Sequence, residues 1–230
     1  MPVTITWHLH SCFTVSDGER SLLIDPMMNF QPGSPHFTDT LTPDAVLITH
    51  AHNDHVGDTV AIARRTGATV VAEFEIAEWL QRQGVENVVD GAPGGTVPFP
   101  GGTAKFVPAI HSSSYWDGQQ QVAIGHACGL VVRFGGKTIY FAGDTALFGD
   151  MQLIGDEGLD LAVLPIGDRY TMGPADALRA VELLRPQAVL PCHYNTFPAI
   201  AQDGQAFADA VTARTGARGL VLAPGESLTL

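Results

Sequence analysis

The chain has 230 residues, 45 % of them hydrophobic, with 24 acidic against 12 basic side chains and a formal charge of -12. That apolar content supports a full core and argues against disorder, while the acidic excess argues against a nucleic-acid backbone or an anionic membrane surface as partner. No apolar run approaches the roughly 20 residues a membrane span needs, no basic-then-apolar leader opens the chain, and three cysteines cannot build a disulfide framework, so a cytoplasmic protein with reduced thiols is expected.

No linker-like stretch divides the composition, and residues 1–230 read as one domain. Residues 3–15 read as a first strand, closed by the turn signal Ser16-Asp17-Gly18-Glu19, and 20–25 as a returning second strand. A third strand covers 45–49; a helix over 56–66 stops at Gly67; a strand over 68–73 leads to a helix over 76–83 that stops at Gly84. Residues 91–102 hold five Gly and three Pro and read as loop and turn, followed by a strand over 103–108. Strands over 129–134 and 138–142 are joined by Gly135-Gly136, a hairpin signal. A strand over 159–165, a helix over 175–184 between Pro174 and Arg185-Pro186, a strand over 187–191, a helix over 206–215 before Gly216 and a strand over 219–223 complete the chain.

Each half contains a hairpin whose second strand runs into an aspartate, Asp25 or Asp144, and then alternates strands with helices. Two such halves predict an α/β fold, a four-layer αββα sandwich of two mixed β-sheets flanked by helices.

The chemistry is concentrated in His50-Ala51-His52-Asn53-Asp54-His55, directly after the third strand. Other strands run out at His111, at Asp144 and at His193. Loops at strand ends are where sites form in α/β folds. Imidazole and carboxylate suit zinc, with iron(II) or manganese as alternatives. One ion would take His50, His52 and His111, a second Asp54, His55 and His193, with Asp144 between them. Cysteine is absent from this set, as in catalytic zinc sites that keep an open position.

The six-residue run resembles the HxHxDH signature of the metallo-β-lactamase fold superfamily, and His111, Phe141-Ala142-Gly143-Asp144-Thr145 and His193 match its later metal motifs in order. Trp7-His8-Leu9-His10-Ser11, residues 167–173 and 191–198 resemble a small bacterial and archaeal subgroup of metal-dependent hydrolases, more distantly similar to ascorbate-phosphate lactonases. The resemblance implies the αββα fold, two divalent metal ions, usually zinc, and hydrolysis. Leu9 stands where the subgroup usually carries Gly, and His126 is unexpected; both bear on substrate shape rather than on the metals.

The expected function is therefore a metal-dependent hydrolase in which a hydroxide bridging two ions attacks a small ester, lactone or related bond. Asp54, Asp144 and His10 are the catalytic candidates, with either Asp54 or a metal-bound water as the group that returns the proton. The alternatives are a phosphodiesterase and a non-catalytic metal-binding protein that retains the fold. A small-molecule substrate is the expected partner, with a homo-oligomer open to a chain of this size.

Several residues carry two readings. His10 is either a group near the metals or a core histidine; His8, spaced to share its face along an extended strand, reads as core or surface. Asp25 reads as a carboxylate that holds a ligand imidazole, and Thr49 and Thr145 as backbone-bonding neighbours of ligands. His36 lies in a Pro/Gly-rich loop, and His126 reads as structural. Tyr170, Thr171, Met172, Tyr194 and Asn195 are divided between pocket wall and packing. Residues 112–116 read as a polar-aromatic loop. No Gly-x-Ser-x-Gly elbow and no Gly-rich phosphate loop occurs.

Overall fold

Alternate apolar residues in the strands face two different cores. In β3 (Ser21–Ile24), Leu22 and Ile24 join a large central core while Leu23 joins a second one; in β4 (Ala45–Leu47), Ala45 and Leu47 face the first and Val46 the second. A strand buried on both faces belongs inside a sheet covered on both sides. The computed structural model, which describes residues 2–27 and 39–230, shows that arrangement.

The first sheet has seven strands in the order β16-β1-β2-β3-β4-β5-β6, completed by β1 (Thr4–Leu9), β2 (Cys12–Ser16), β5 (Thr69–Glu73), β6 (Val88–Gly91) and β16 (Ser227–Thr229). The second, also of seven, has the order β15-β14-β13-β12-β11-β8-β7, from β7 (Thr96–Phe99), β8 (Gly102–Pro108), β11 (Cys128–Phe134), β12 (Lys137–Phe141), β13 (Leu161–Pro165), β14 (Ala188–Cys192) and β15 (Arg218–Gly219). A separate hairpin joins β9 (Ser114–Trp116) to β10 (Gln121–Ala123). Each large sheet is antiparallel in one part and parallel in the other, and the last antiparallel-paired strands, β3 and β12, lead to Asp25 and Asp144. The sheets meet through side chains such as Phe13 and Phe141, whose rings lie 5.9 Å apart.

Helices α2 (Thr59–Thr66) and α3 (Phe74–Arg82) cover the first sheet through Ile62, Ile76 and Leu80. On the second, α5 (Pro174–Leu184) buries Ala177, Val181 and Leu184 at helical spacing, and α6 (Gly204–Arg214) buries Phe207 and Val211. Pro174 opens α5, and Asp203 caps α6 by accepting the Ala206 N–H at 2.9 Å. Short helices α1 (Asn53–Val56) and α4 (Met151–Gly155) complete the set. Among the described residues no helix is long and apolar enough to cross a membrane. The αββα expectation is met.

Four local expectations change. Residues 3–15 form a hairpin, β1 and β2, reversing at His10 in the left-handed region (φ 55°); no Gly, Asn or Pro marks that turn. The helix expected over 56–66 is two, α1 and α2, separated by Gly57-Asp58. Residues 91–102 are not all loop: β7 forms inside them, with Pro98 tolerated because β7 is an edge strand. The strand expected over 219–223 shrinks to β15, and β16, too short and polar to read from pattern, pairs with β1. Gly135 and Gly136 (φ 56° and 79°) turn the β11–β12 hairpin as expected. His36 lies outside the described residues.

Candidate metal centre

The convergence follows from topology. β4, β8, β12 and β14 all run out at the same end of the sandwich, and the segments beyond them carry the 50–55 run, His111, Asp144 and His193. Ligand-type atoms of His50, His52 and His111 lie within 4.8 Å of one another; so do those of His50, His55 and Asp144, and those of His10, Asp54, His55 and His193. His50 Nε2 is 2.9 Å from His52 Nδ1. Asp144 lies between the groups, with Oδ1 3.3 Å from His55 Nε2 and Oδ2 3.0 Å from His193 Nε2 and 3.6 Å from His111 Nε2. All seven residues expected as ligands are brought together, and His10 joins them.

The backbone is held in uncommon conformations here. His10, Asp25 and His193 all have positive φ (55°, 41° and 52°), costly for residues with a Cβ. The His193 N–H donates to His10 O at 2.9 Å, and the two rings lie 3.8 Å apart. Gly143 (φ 60°) leaves space for Thr49, since a Cβ there would fall 2.8 Å from Thr49 Cβ.

Asp25 sets the inward atoms. Its Oδ2 accepts from His55 Nδ1 at 2.8 Å and from Thr49 Oγ1 at 2.7 Å, and its Oδ1 accepts the Thr49 N–H at 2.9 Å. With its proton committed to Asp25, Thr49 Oγ1 can only accept from His50 Nδ1, 3.0 Å away. His50 therefore turns a bare Nε2 into the cluster, and His55, anchored at Nδ1 by Asp25, turns its Nε2 there as well. The expectation that Thr49 bonds only the backbone is corrected by its bond to the Asp25 carboxylate. His55 Nε2 and Asp144 Oδ1 are buried without a hydrogen-bond partner while facing each other at 3.3 Å. Two lone pairs at that distance require a positive charge between them, a proton or a cation. The donor set and these two orphaned atoms fit a bound metal.

Electrostatics favour neutral imidazoles at three positions and a positive charge at the His55–Asp144 pair. Burial and neighbouring histidines push the imidazoles of His50, His52 and His111 below the ordinary range, which keeps them neutral, the form that binds metal. Burial pulls His55 down, yet the Asp144 and Asp25 carboxylates outweigh it and hold it well above that range. Burial would raise the Asp144 carboxyl, but His193 and His55 hold it well below the carboxylate range. Burial, with His193 beside it, lowers His10 to about 4.

His10 Nε2 faces Asp54 Oδ2 at 3.2 Å and its Nδ1 faces Thr196 Oγ1 at 2.9 Å. Nothing in the sequence pattern pointed to Thr196. His8, by contrast, turns away: a bulge between Trp7 and Leu9 breaks the alternation, and His8 Nε2 meets Thr14 Oγ1 at 2.7 Å. His126 stands apart, its Nδ1 3.5 Å from Glu73 Oε1. Tyr194 is packing, stacked on Trp7 at 5.5 Å, and Asn195 closes a loop by accepting the Gln202 N–H. Thr145 keeps to the backbone, accepting from Ile110 N–H and donating to Ala146 O.

A sequence description of the β-lactamase superfamily domain matches residues 20–194. The chain is 51 % identical over 221 residues to a UPF0173 metal-dependent hydrolase of Thermus thermophilus, covering 96 % of each. It is 48 % identical over 225 residues to another from Symbiobacterium thermophilum, covering 96 % of this chain and 97 % of that one. Among solved structures, Igni18, a metallo hydrolase from the archaeon Ignicoccus hospitalis, superposes with a TM-score of 0.86 at 36 % identity, covering 100 % of this chain and 99 % of its own.

Proposed function

The chain belongs to the β-lactamase superfamily as one of its metal-dependent hydrolases, and from that premise we propose that it holds two divalent ions, zinc first and manganese or iron as alternatives, and cleaves an ester, lactone or related bond in a small molecule. His50, His52 and His111 would hold one ion and Asp54, His55 and His193 the other, with Asp144 placed between the two groups. Residues 1–230 act as a single hydrolase domain, and three buried, unbridged cysteines suit a cytoplasmic setting.

When bound, the ions supply Lewis acidity: a coordinated water with its pKa lowered from 15.7 toward about 7, and neutralisation of charge developing on the substrate oxygen. The remaining roles fall to side chains. Asp25 and Thr49 hold His50 and His55 in the tautomer that presents Nε2. Asp54 is the carboxylate that solvent reaches: its side chain is 29 % exposed against 4 % for Asp144. Asp54 Oδ2 is thus suited to take the proton lost by the attacking water and pass it to the leaving group. The His10 contact, the main influence lowering its carboxyl against burial, keeps Asp54 ionised and ready to relay rather than store that proton.

The observation that carries this reading is the pair of buried, partnerless atoms, His55 Nε2 and Asp144 Oδ1, facing each other inside a seven-residue donor set. The test is elemental analysis of the purified protein together with turnover of aryl esters, lactones and bis-p-nitrophenyl phosphate. Two ions per chain with ester or lactone turnover support the reading. Turnover confined to the phosphodiester favours the phosphodiesterase, and metal without turnover favours a binding protein.

A further inference from the structure

The loop that carries the 50–55 run is stitched, residue by residue, to the segment after His111. The Ala51 N–H donates to Ser113 Oγ at 3.2 Å, His52 Nε2 meets Ser112 Oγ at 3.3 Å, and the Asn53 side-chain amide pairs with the Trp116 backbone in both directions, at 2.8 and 3.1 Å. Ser113 Oγ in turn donates to Ile124 O at 2.5 Å, closing the base of the β9–β10 hairpin, and Tyr115 packs on Trp79 with ring centres 4.6 Å apart. The hairpin is thereby fixed on both flanks, with its first strand running beside three residues of the candidate metal loop.

That strand ends in Trp116, a residue left 48 % exposed. Five large apolar residues are exposed among those described, and three of them, Ile110, Trp116 and Tyr170, lie on the segments that carry or adjoin the candidate ligands. Ile110 directly precedes His111. Tyr170 sits in the loop that runs from Gly167, packed on His193, to Met172, whose N–H donates to Thr145 O beside Asp144. A scattered exposed apolar residue needs no explanation, but three grouped on the loops around one site do. The same loops, 50–55, 109–117, 143–150, 167–173 and 193–203, contain a single basic residue, Arg169. A substrate rich in phosphate would find few side-chain counter-charges there.

We infer that the β9–β10 hairpin is a fixed recognition arm whose Trp116 receives the apolar part of the substrate, so that the enzyme selects esters with an extended aliphatic acyl group. The inference rests on the hydrolase reading above and adds the substrate class to it. Asn53 is the positioning residue that holds Trp116 at the site.

The test compares p-nitrophenyl hexanoate with p-nitrophenyl acetate on the full, metal-loaded chain. The wild type is expected to prefer hexanoate in kcat/KM by about tenfold or more. Trp116→Ala should reduce that ratio to near one, chiefly through KM and with metal content retained, and Trp116→Phe should restore most of it. A wild type without chain-length preference, or a Trp116→Ala variant that keeps the full preference, overturns the inference. Calorimetric binding of hexanoate against acetate separates the two readings. If neither ester nor lactone is cleaved, the ester and lactone reading fails on its own terms; a hexanoate binding preference lost in Trp116→Ala still supports the arm, and its absence overturns it.

Discussion

Asp25 Oδ2 lies 2.8 Å from His55 Nδ1, and the same oxygen accepts from Thr49 Oγ1 at 2.7 Å. One buried carboxylate thus reaches both halves of the candidate centre, His55 directly and His50 through Thr49. Ring orientation and tautomer, which decide whether an imidazole can bind a cation, are settled one shell out from the donor atoms.

Replacing Asp25 by Asn replaces one of two acceptor oxygens by an amide NH2, which turns N–H toward at least one of the three donors now held. Metal affinity should fall about 10- to 100-fold, read by competition with a chromophoric chelator. Unchanged affinity in a folded Asp25→Asn protein would remove Asp25 from this role.

Asp144 touches His55, His111 and His193 at once, whereas His52 sits in one group only. Asp144→Asn should therefore abolish turnover and disturb both ions; His52→Ala should abolish turnover and lower metal content toward one ion per chain. Normal activity in both variants would end the dinuclear proposal.

Legibility in the sequence followed chemical redundancy. That these seven His and Asp side chains gather at one end of the sandwich was readable because they stand at or just beyond strand ends, where few other demands explain them. What could not be read depended on contacts between distant residues: Thr196 facing His10 across the sandwich, the Thr49 bridge, and the Asn53 clamp on Trp116. The β1–β2 turn was hidden because His10 takes a left-handed conformation without any of the residues that advertise one. β16 was hidden because three residues, two of them polar, carry no period.

Removing metal should also cost stability. A cluster that binds ions only when folded gains about 2.7 kcal/mol at a metal concentration 100 times Kd. For a chain of this size that is a rise of roughly 5–10 °C in Tm on adding zinc to chelator-treated protein. An unchanged Tm, with metal uptake verified, would show that the folded and unfolded chains bind it equally.

Tyr140 is fully buried and its hydroxyl has no hydrogen-bond partner among the described residues. Burial alone pushes that hydroxyl well above the ordinary tyrosine range, which leaves it neutral and inert. An unpaired buried hydroxyl costs free energy, so Tyr140→Phe should be neutral or stabilising by about 1 kcal/mol in chemical denaturation. A loss of stability would reveal a hydrogen bond to the Tyr140 hydroxyl.

Glu157 supplies the pH dependence that can be tested away from the centre. Its Oε1 is 2.5 Å from Lys105 Nζ and its Oε2 is 2.7 Å from Arg133. The Lys105 hydrogen bond, helped by Arg133 and opposed by partial burial, holds the Glu157 carboxyl below its ordinary value of 4.5. Folding therefore favours the ionised form. The stabilisation is complete above the unfolded value and is lost as pH falls through the lower, folded one. Glu157→Gln should cost about 1 kcal/mol or less at pH 7, since Lys105 and Arg133 are substantially exposed and salt screens them. The gap between wild type and variant should narrow below the ordinary carboxyl value and shrink in high salt. Parallel stability curves across that acid range would show that Lys105 and Arg133 do not act on Glu157 through its charge.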